Sequence, residues 1–216
     1  MIPDMESIIP ELRQQLKNND FYQFDLLNLL QSLLKIYKKR MIITGAELTE
    51  LLSRKSVILY PQKSSVIAKH LFHSEKGIAD LIHKIIGHRA SSRKTLFLKL
   101  WNRLDFYHRG WVKSKDLLFA FHAERHPHVN QNRGFKQRVD AEFLRSEFRR
   151  SLQIFQKVKD ILVCNSRPNG IDYPLDCKNT EVLTEQEFYE FCWLLSFEFD
   201  SENDLERMFY SVFKLR

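Results

Sequence analysis

The chain has 216 residues, 44% hydrophobic and 28% charged, a balance that excludes a largely disordered polymer. A formal charge of +7 and a pI near 9.3 permit an acidic partner (nucleic acid, an anionic membrane surface or an acidic protein polymer such as tubulin), against the simpler reading of solubility. Three cysteines, Cys164, Cys177 and Cys192, build no paired disulfide framework, no apolar run is long enough to span a bilayer, and Met1 to Asp4 leads into charged residues, not a signal core.

Only six glycines and six prolines punctuate the chain, so long helical elements are expected. The spacing of Leu26, Leu27, Leu30, Leu33, Leu34 and Tyr37 predicts a first helix over 21–37, broken at Lys38-Lys39-Arg40. The β-prone Met41-Ile42-Ile43 then leads to Thr44, which with Glu47 forms a capping box and opens a helix through Leu52. Tyr60-Pro61 ends that unit. Ser65 is expected to cap a helix carrying Val66, Ile67 and Leu71, and Ile78, Leu81, Ile82, Ile85 and Ile86 form a further stripe after the turn at 74–77. Residues 88–92 read as a linker.

Leu96, Phe97, Leu100, Trp101 and Leu104 line the next helix, followed by a loop over 105–112 with the turn His108-Arg109-Gly110. Ser114 opens a helix with Leu117, Leu118 and Phe121, and Pro127 blocks its continuation. From Val139 onward a helix buries Phe143, Leu144, Phe148, Leu152, Phe155 and Val158, and Arg167-Pro168-Asn169-Gly170 reads as a turn. Thr184 and Glu187 form a second capping box, and a terminal helix over 202–214 carries Leu205, Met208, Phe209 and Phe213.

Three segments share one grammar: Ile43 to Leu48, Val112 to Leu117, and Leu183 to Phe188. Each matches the second half of an EF-hand loop and the start of its exiting helix. The apolar residue at position eight pairs with a neighbouring hand, and the acid at position twelve grips calcium. Counting by that register makes Asp105, Tyr107, Arg109 and Asp116 the candidate ligands of the best loop, with Gly110 at position six. Asp105 keeps a carboxylate, but Tyr107 and Arg109 do not, and Arg109 adds repulsion where a dication must sit. The last loop offers Asp176, Lys178, Thr180 and Glu187, with Glu181 where glycine should turn the chain. The first hand places Ile36, Lys38 and Arg40 at ligand positions, and the second ends at Ile82. No loop should bind calcium tightly.

The back half resembles calcyphosin and the calcyphosin-like EF-hand proteins. The resemblance rests on Val112 to Phe121, His126-Pro127-His128-Val129, Phe143-Leu144 and Phe148, then Val182 to Phe188, Tyr189, Phe191 and Ser196, and finally Asp204, Phe209 and Lys214-Leu215. These features cover about half the chain in a distinctive order, although each piece is common alone. The family implies an all-α fold of EF-hand-like helix–loop–helix pairs in two lobes, with short β-bridges between paired loops, here 1–90 and 91–216. It implies no enzymatic activity and a calcium-responsive or scaffold role. The sequence departs from it in the lost ligands and in an insertion near 149–181, a length that calls for a function or a fold of its own.

Competing signals are weaker. His122, Glu124, His126 and His128 could hold zinc, but Pro127 disrupts the geometry there. No nucleophile motif accompanies any cysteine, and Cys192 lies in an aromatic helical stripe, as a buried thiol would. Trp101, Trp111 and Trp193 sit at helical spacing, without a nucleic-acid module around them. The expected function is a non-catalytic adaptor or structural protein without a cofactor, gripping an amphipathic helix or a tubulin-like acidic surface. Its expected location is cytoplasmic, with a cilium or flagellum implied by the resemblance. The alternative is a calcium sensor with one weak site in the loop 105–116.

Overall fold

The computed structural model describes residues 4–18, 25–130, 139–163 and 181–215. Helices dominate these residues, and one two-stranded sheet accompanies them. The chain divides into two compact units, Met1–His88 and Arg89–Arg216. No helix among the described residues is long and apolar enough to cross a membrane.

The first unit holds α1 (Met5–Asn18), α2 (Asp25–Arg40), α3 (Gly45–Ser53), α4 (Pro61–Leu71) and α5 (Glu75–Ile86). Sequence patterning missed α1, which carries Pro10 inside it. The proline forfeits one hydrogen bond near the helix start, and burial of Ile8, Leu12 and Leu16 outweighs that loss. α2 continues through the basic cluster instead of breaking there. Lys38, Lys39 and Arg40 occupy its last turn, where cations complement the exposed carbonyls. Ile36, Lys38 and Arg40 are therefore helical and not loop ligand positions.

α4 starts at Pro61, which sits at the first turn after an extended Tyr60, and Ser65 lies inside the helix. Ser65 Oγ donates to the Pro61 carbonyl at 2.8 Å and caps nothing. Ile78 and Ile82 lie within α5, capped by Ser74, so only residues 72–74 separate α4 from α5. The described residues of this unit contain no strand, so the β-bridge expected between its loops is absent there. The capping box of α3 is present, with Glu47 N–H on Thr44 Oγ1 at 3.2 Å and Thr44 N–H on Glu47 Oε2 at 2.9 Å. Gly45 lets α3 meet α4 closely: a Cβ there would stand 2.5 Å from Ser65 Oγ and 2.7 Å from its backbone. Arg13 of α1 donates to the carbonyls of Lys84 and Ile85, both at 2.7 Å, and so satisfies the open end of α5.

The second unit comprises α6 (Ser91–Leu104), β1 (Trp111–Lys113), α7 (Ser114–Ala120), α8 (Pro127–Asn130), α9 (Ala141–Leu162), β2 (Val182–Thr184), α10 (Glu185–Leu195) and α11 (Glu202–Val212). Short 3-10 turns at Ala123–Arg125 and Ser196–Glu198 join them. α7 stops at Ala120, well before Pro127, which instead opens α8. Phe143 is half exposed and does not join the buried face of α9. The turn expected at 167–170 lies outside the described residues.

Phenylalanines form the core of this unit. Phe121 and Phe148 stack at 4.0 Å, and Phe148 meets Phe191 and Phe213 edge-on. α11 lies across this surface: Phe209 packs on Phe97 at 5.4 Å and Phe213 on Phe121 at 5.8 Å. Arginines anchor the helix ends. Arg93 bonds the Ser196 and Phe199 carbonyls and pairs with Glu202, while Arg103 reaches the Phe213 and Lys214 carbonyls. Burial works against the Glu202 charge, but Arg93 and Ser92 together hold its carboxyl below the ordinary range.

Phe148→Ala should lower the stability of the second unit by about 3–5 kcal/mol in denaturant unfolding. Gly45→Val should cost the first unit about 1–3 kcal/mol, since the obstruction includes backbone. The Thr44 N–H, as the largest cause, holds the Glu47 carboxyl below its ordinary 4.5. The cap therefore contributes fully above that value and is lost as pH falls through the lowered one, which hydrogen exchange in α3 should register as faster opening in acid.

Candidate functional site

β1 and β2 pair antiparallel, with Trp111 opposite Thr184, Val112 opposite Leu183 and Lys113 opposite Val182. Ser114 N–H extends the ladder to the Glu181 carbonyl at 2.7 Å. Val112 and Leu183 are the residues counted as position eight of their respective loops, and both are fully buried. The two loop ends therefore meet at equivalent positions.

In the first loop the chain turns through His108 and Gly110, both with positive φ, 52° and 79°. Gly110 carries that conformation without the Cβ penalty, as its place in the turn requires. Asp105 is 2% exposed, and its two oxygens are taken up by backbone: Oδ1 accepts from Arg109 N–H and Oδ2 from Gly110 N–H, each at 2.8 Å. The Arg109 guanidinium stands 3.7 Å from Asp105 Oδ1 and stacks over the Trp111 ring at 4.2 Å. A cation thus already faces the carboxylate. Tyr107 points outward at 78% exposure and contacts Phe106 edge-on, so its phenol is not turned into the loop. Asp116 is half-buried in the first turn of α7, and its carboxylate makes no hydrogen bond or ion pair among the described residues.

In the second loop Asp176 and Thr180 lie outside the described residues. Glu187 is described and is occupied. Its Oε2 accepts from Thr184 N–H at 2.8 Å, completing a capping box with Thr184 Oγ1. The same oxygen faces Lys159 Nζ at 3.2 Å, and that ammonium also donates to the Val182 carbonyl at 2.8 Å. Both side chains are nearly buried, at 12% and 11% exposure. By the register counted from sequence, Val182 is position seven and Glu187 position twelve. These are a carbonyl and a carboxylate that a calcium ion would take from such a loop. Lys159 comes from α9, and sequence reasoning did not single it out.

The remaining candidates are less organised. His122 Nδ1 meets Glu124 at 3.1 Å and His126 is buried, but no group of three metal-ligating side chains forms among the described residues. Cys192 is fully buried, and burial pushes its thiol well above the usual range, which removes nucleophilic character. Trp101 and Trp193 are core residues, against Phe188 and Phe97 respectively. No protein-family model matches the chain, and no curated protein matches it significantly.

Lys159→Met should destabilise the second unit by about 1.5–3 kcal/mol, the range for a hydrogen-bonded charged group. A cycle with Glu187→Gln checks the cause. Coupling of at least about 0.5 kcal/mol assigns the loss to the pair, and additivity assigns it to packing alone.

Proposed function

We propose that the chain is a non-catalytic, EF-hand-derived adaptor whose paired loops are held together by the protein's own groups instead of calcium. The observation that carries this reading is the Lys159 ammonium, shared by the Val182 carbonyl and the Glu187 carboxylate. Pairing of Val112 with Leu183 supports the same loop register. Asp105, saturated by backbone N–H groups with Arg109 beside it, supports it in the other loop.

Calcium takes six to eight oxygens, and a loop that spends its carboxylates on N–H groups and ammonium has few left to offer. The alternative of a weak calcium sensor through Asp105 and Asp116 must displace a guanidinium and break two backbone hydrogen bonds. A sensor lobe also opens an apolar groove on binding. Here α11 lies across the aromatic surface, so the partner is met by the outside of the lobe. The resemblance to calcyphosin-like proteins extends this reading to a cytoplasmic, ciliary or microtubule-associated assembly.

Calorimetric titration should give no binding heat with calcium up to millimolar concentration, and the unfolding temperature should not move with calcium or chelator. A calcium-dependent rise in stability would overturn the adaptor reading in favour of the sensor.

A further inference from the structure

A cleft of about 620 Å³ opens between α7 and α9, beside the start of β2. Its floor is apolar, from Leu118 and Leu152, and its rim is cationic, from Lys115, Arg149 and Lys157. Glu181 is the acid among its lining residues, and the three cations pair with no acid among the described residues. Arg149, Leu152 and Gln156 fall on one face of α9 by their spacing of three and four residues.

Gln156 gives the cleft a specific demand. It is 7% exposed, and its amide nitrogen donates to Ser114 Oγ at 2.5 Å and faces the Val182 carbonyl at 3.4 Å. That carbonyl can accept only from the NH2 group, so the amide oxygen is the atom left over. It is buried and has no partner among the described residues. Buried acceptors are normally satisfied, and Gln156 is among the residues that line the cleft, so a donor entering there can reach this oxygen once the amide shifts toward it.

We propose that this cleft docks a short acidic peptide segment of a protein partner. One apolar side chain would seat on Leu118 and Leu152, a backbone N–H would satisfy Gln156 Oε1, and carboxylates would meet Lys115, Arg149 and Lys157. The proposal rests on the adaptor reading and names the chemistry of its partner. Peptide backbone suits the site because it presents an N–H donor beside a side chain, which a lipid surface cannot bring into a concave cleft. Nucleic acid fits less well, because no aromatic side chain is among the described residues lining the cleft to stack on a base.

The test is fluorescence anisotropy on the full chain with a fluorescein-labelled peptide of one leucine flanked on both sides by glutamates. The acidic peptide should bind at least about tenfold more tightly than its counterpart with glutamines, and added salt should weaken it. The surface double variant Arg149→Glu/Lys157→Glu should lose about tenfold or more with unchanged circular dichroism. Gln156→Leu should weaken the peptide several-fold, and the double variant keeps the test open if that variant misfolds. Equal binding of the two peptides, indifference to charge reversal, or no binding at about 1 mM overturns the proposal. So does binding of phosphatidylserine vesicles or single-stranded RNA at these same residues in place of the peptide. If pull-downs retain a protein partner while charge reversal changes nothing, the cleft is wrong and the adaptor reading stands. If calcium raises stability while the peptide still binds, the cleft stands and the adaptor reading falls.

Discussion

Two three-residue strands tie together segments some seventy positions apart, and most of the second unit is arranged by that junction. Because Val112 faces Leu183 across the ladder, α7 and α10 leave the sheet from matched points, each beginning immediately after its strand. A ladder this short is marginal alone in water. It survives here because its centre is fully buried and because α9 reaches it from the side, with Gln156 and Lys159 both bonding the Val182 carbonyl.

Aromatic packing completes the same unit. Rings from α6, the end of α7, α9, α10 and the end of α11 meet one another, with the Phe121–Phe148 stack near their centre. Seventeen phenylalanines need a deep groove or a broad core to bury them, and in this unit a broad core forms. The chain supplies α11 as its own cover, held at its start by Arg93 and past its end by Arg103. Phe106, Tyr107 and Phe119 are left well exposed, and Phe143 half exposed.

Short-range chemistry was legible in the residues. The capping boxes at Thr44 and Thr184 close over three residues, so their spacing alone announced them, and the same grammar singled out Val112 and Leu183, which face each other across the ladder. Features that needed distant partners were not legible. Lys159 reaches Glu187 from 28 positions away, and Gln156 reaches Ser114 from 42, and neither side chain looks unusual in a helical pattern. The first unit misled for another reason. Its basic cluster looked like a break, but cations suit a helix terminus, and α2 absorbed the positions that a loop would have needed. Pro10 concealed α1 in the same way, because a proline penalty is local while burial of Ile8, Leu12 and Leu16 is collective.

The Arg109 guanidinium over Trp111 and the Lys159 ammonium on Glu187 are both covalently part of the chain. A dissolved ion fills its seat in proportion to its concentration, and a tethered one is present whatever the surrounding fluid contains. On the proposed reading, the lobe has exchanged responsiveness for permanence: its shape is decided at translation, and control over its engagement passes to whatever sets the supply of the partner.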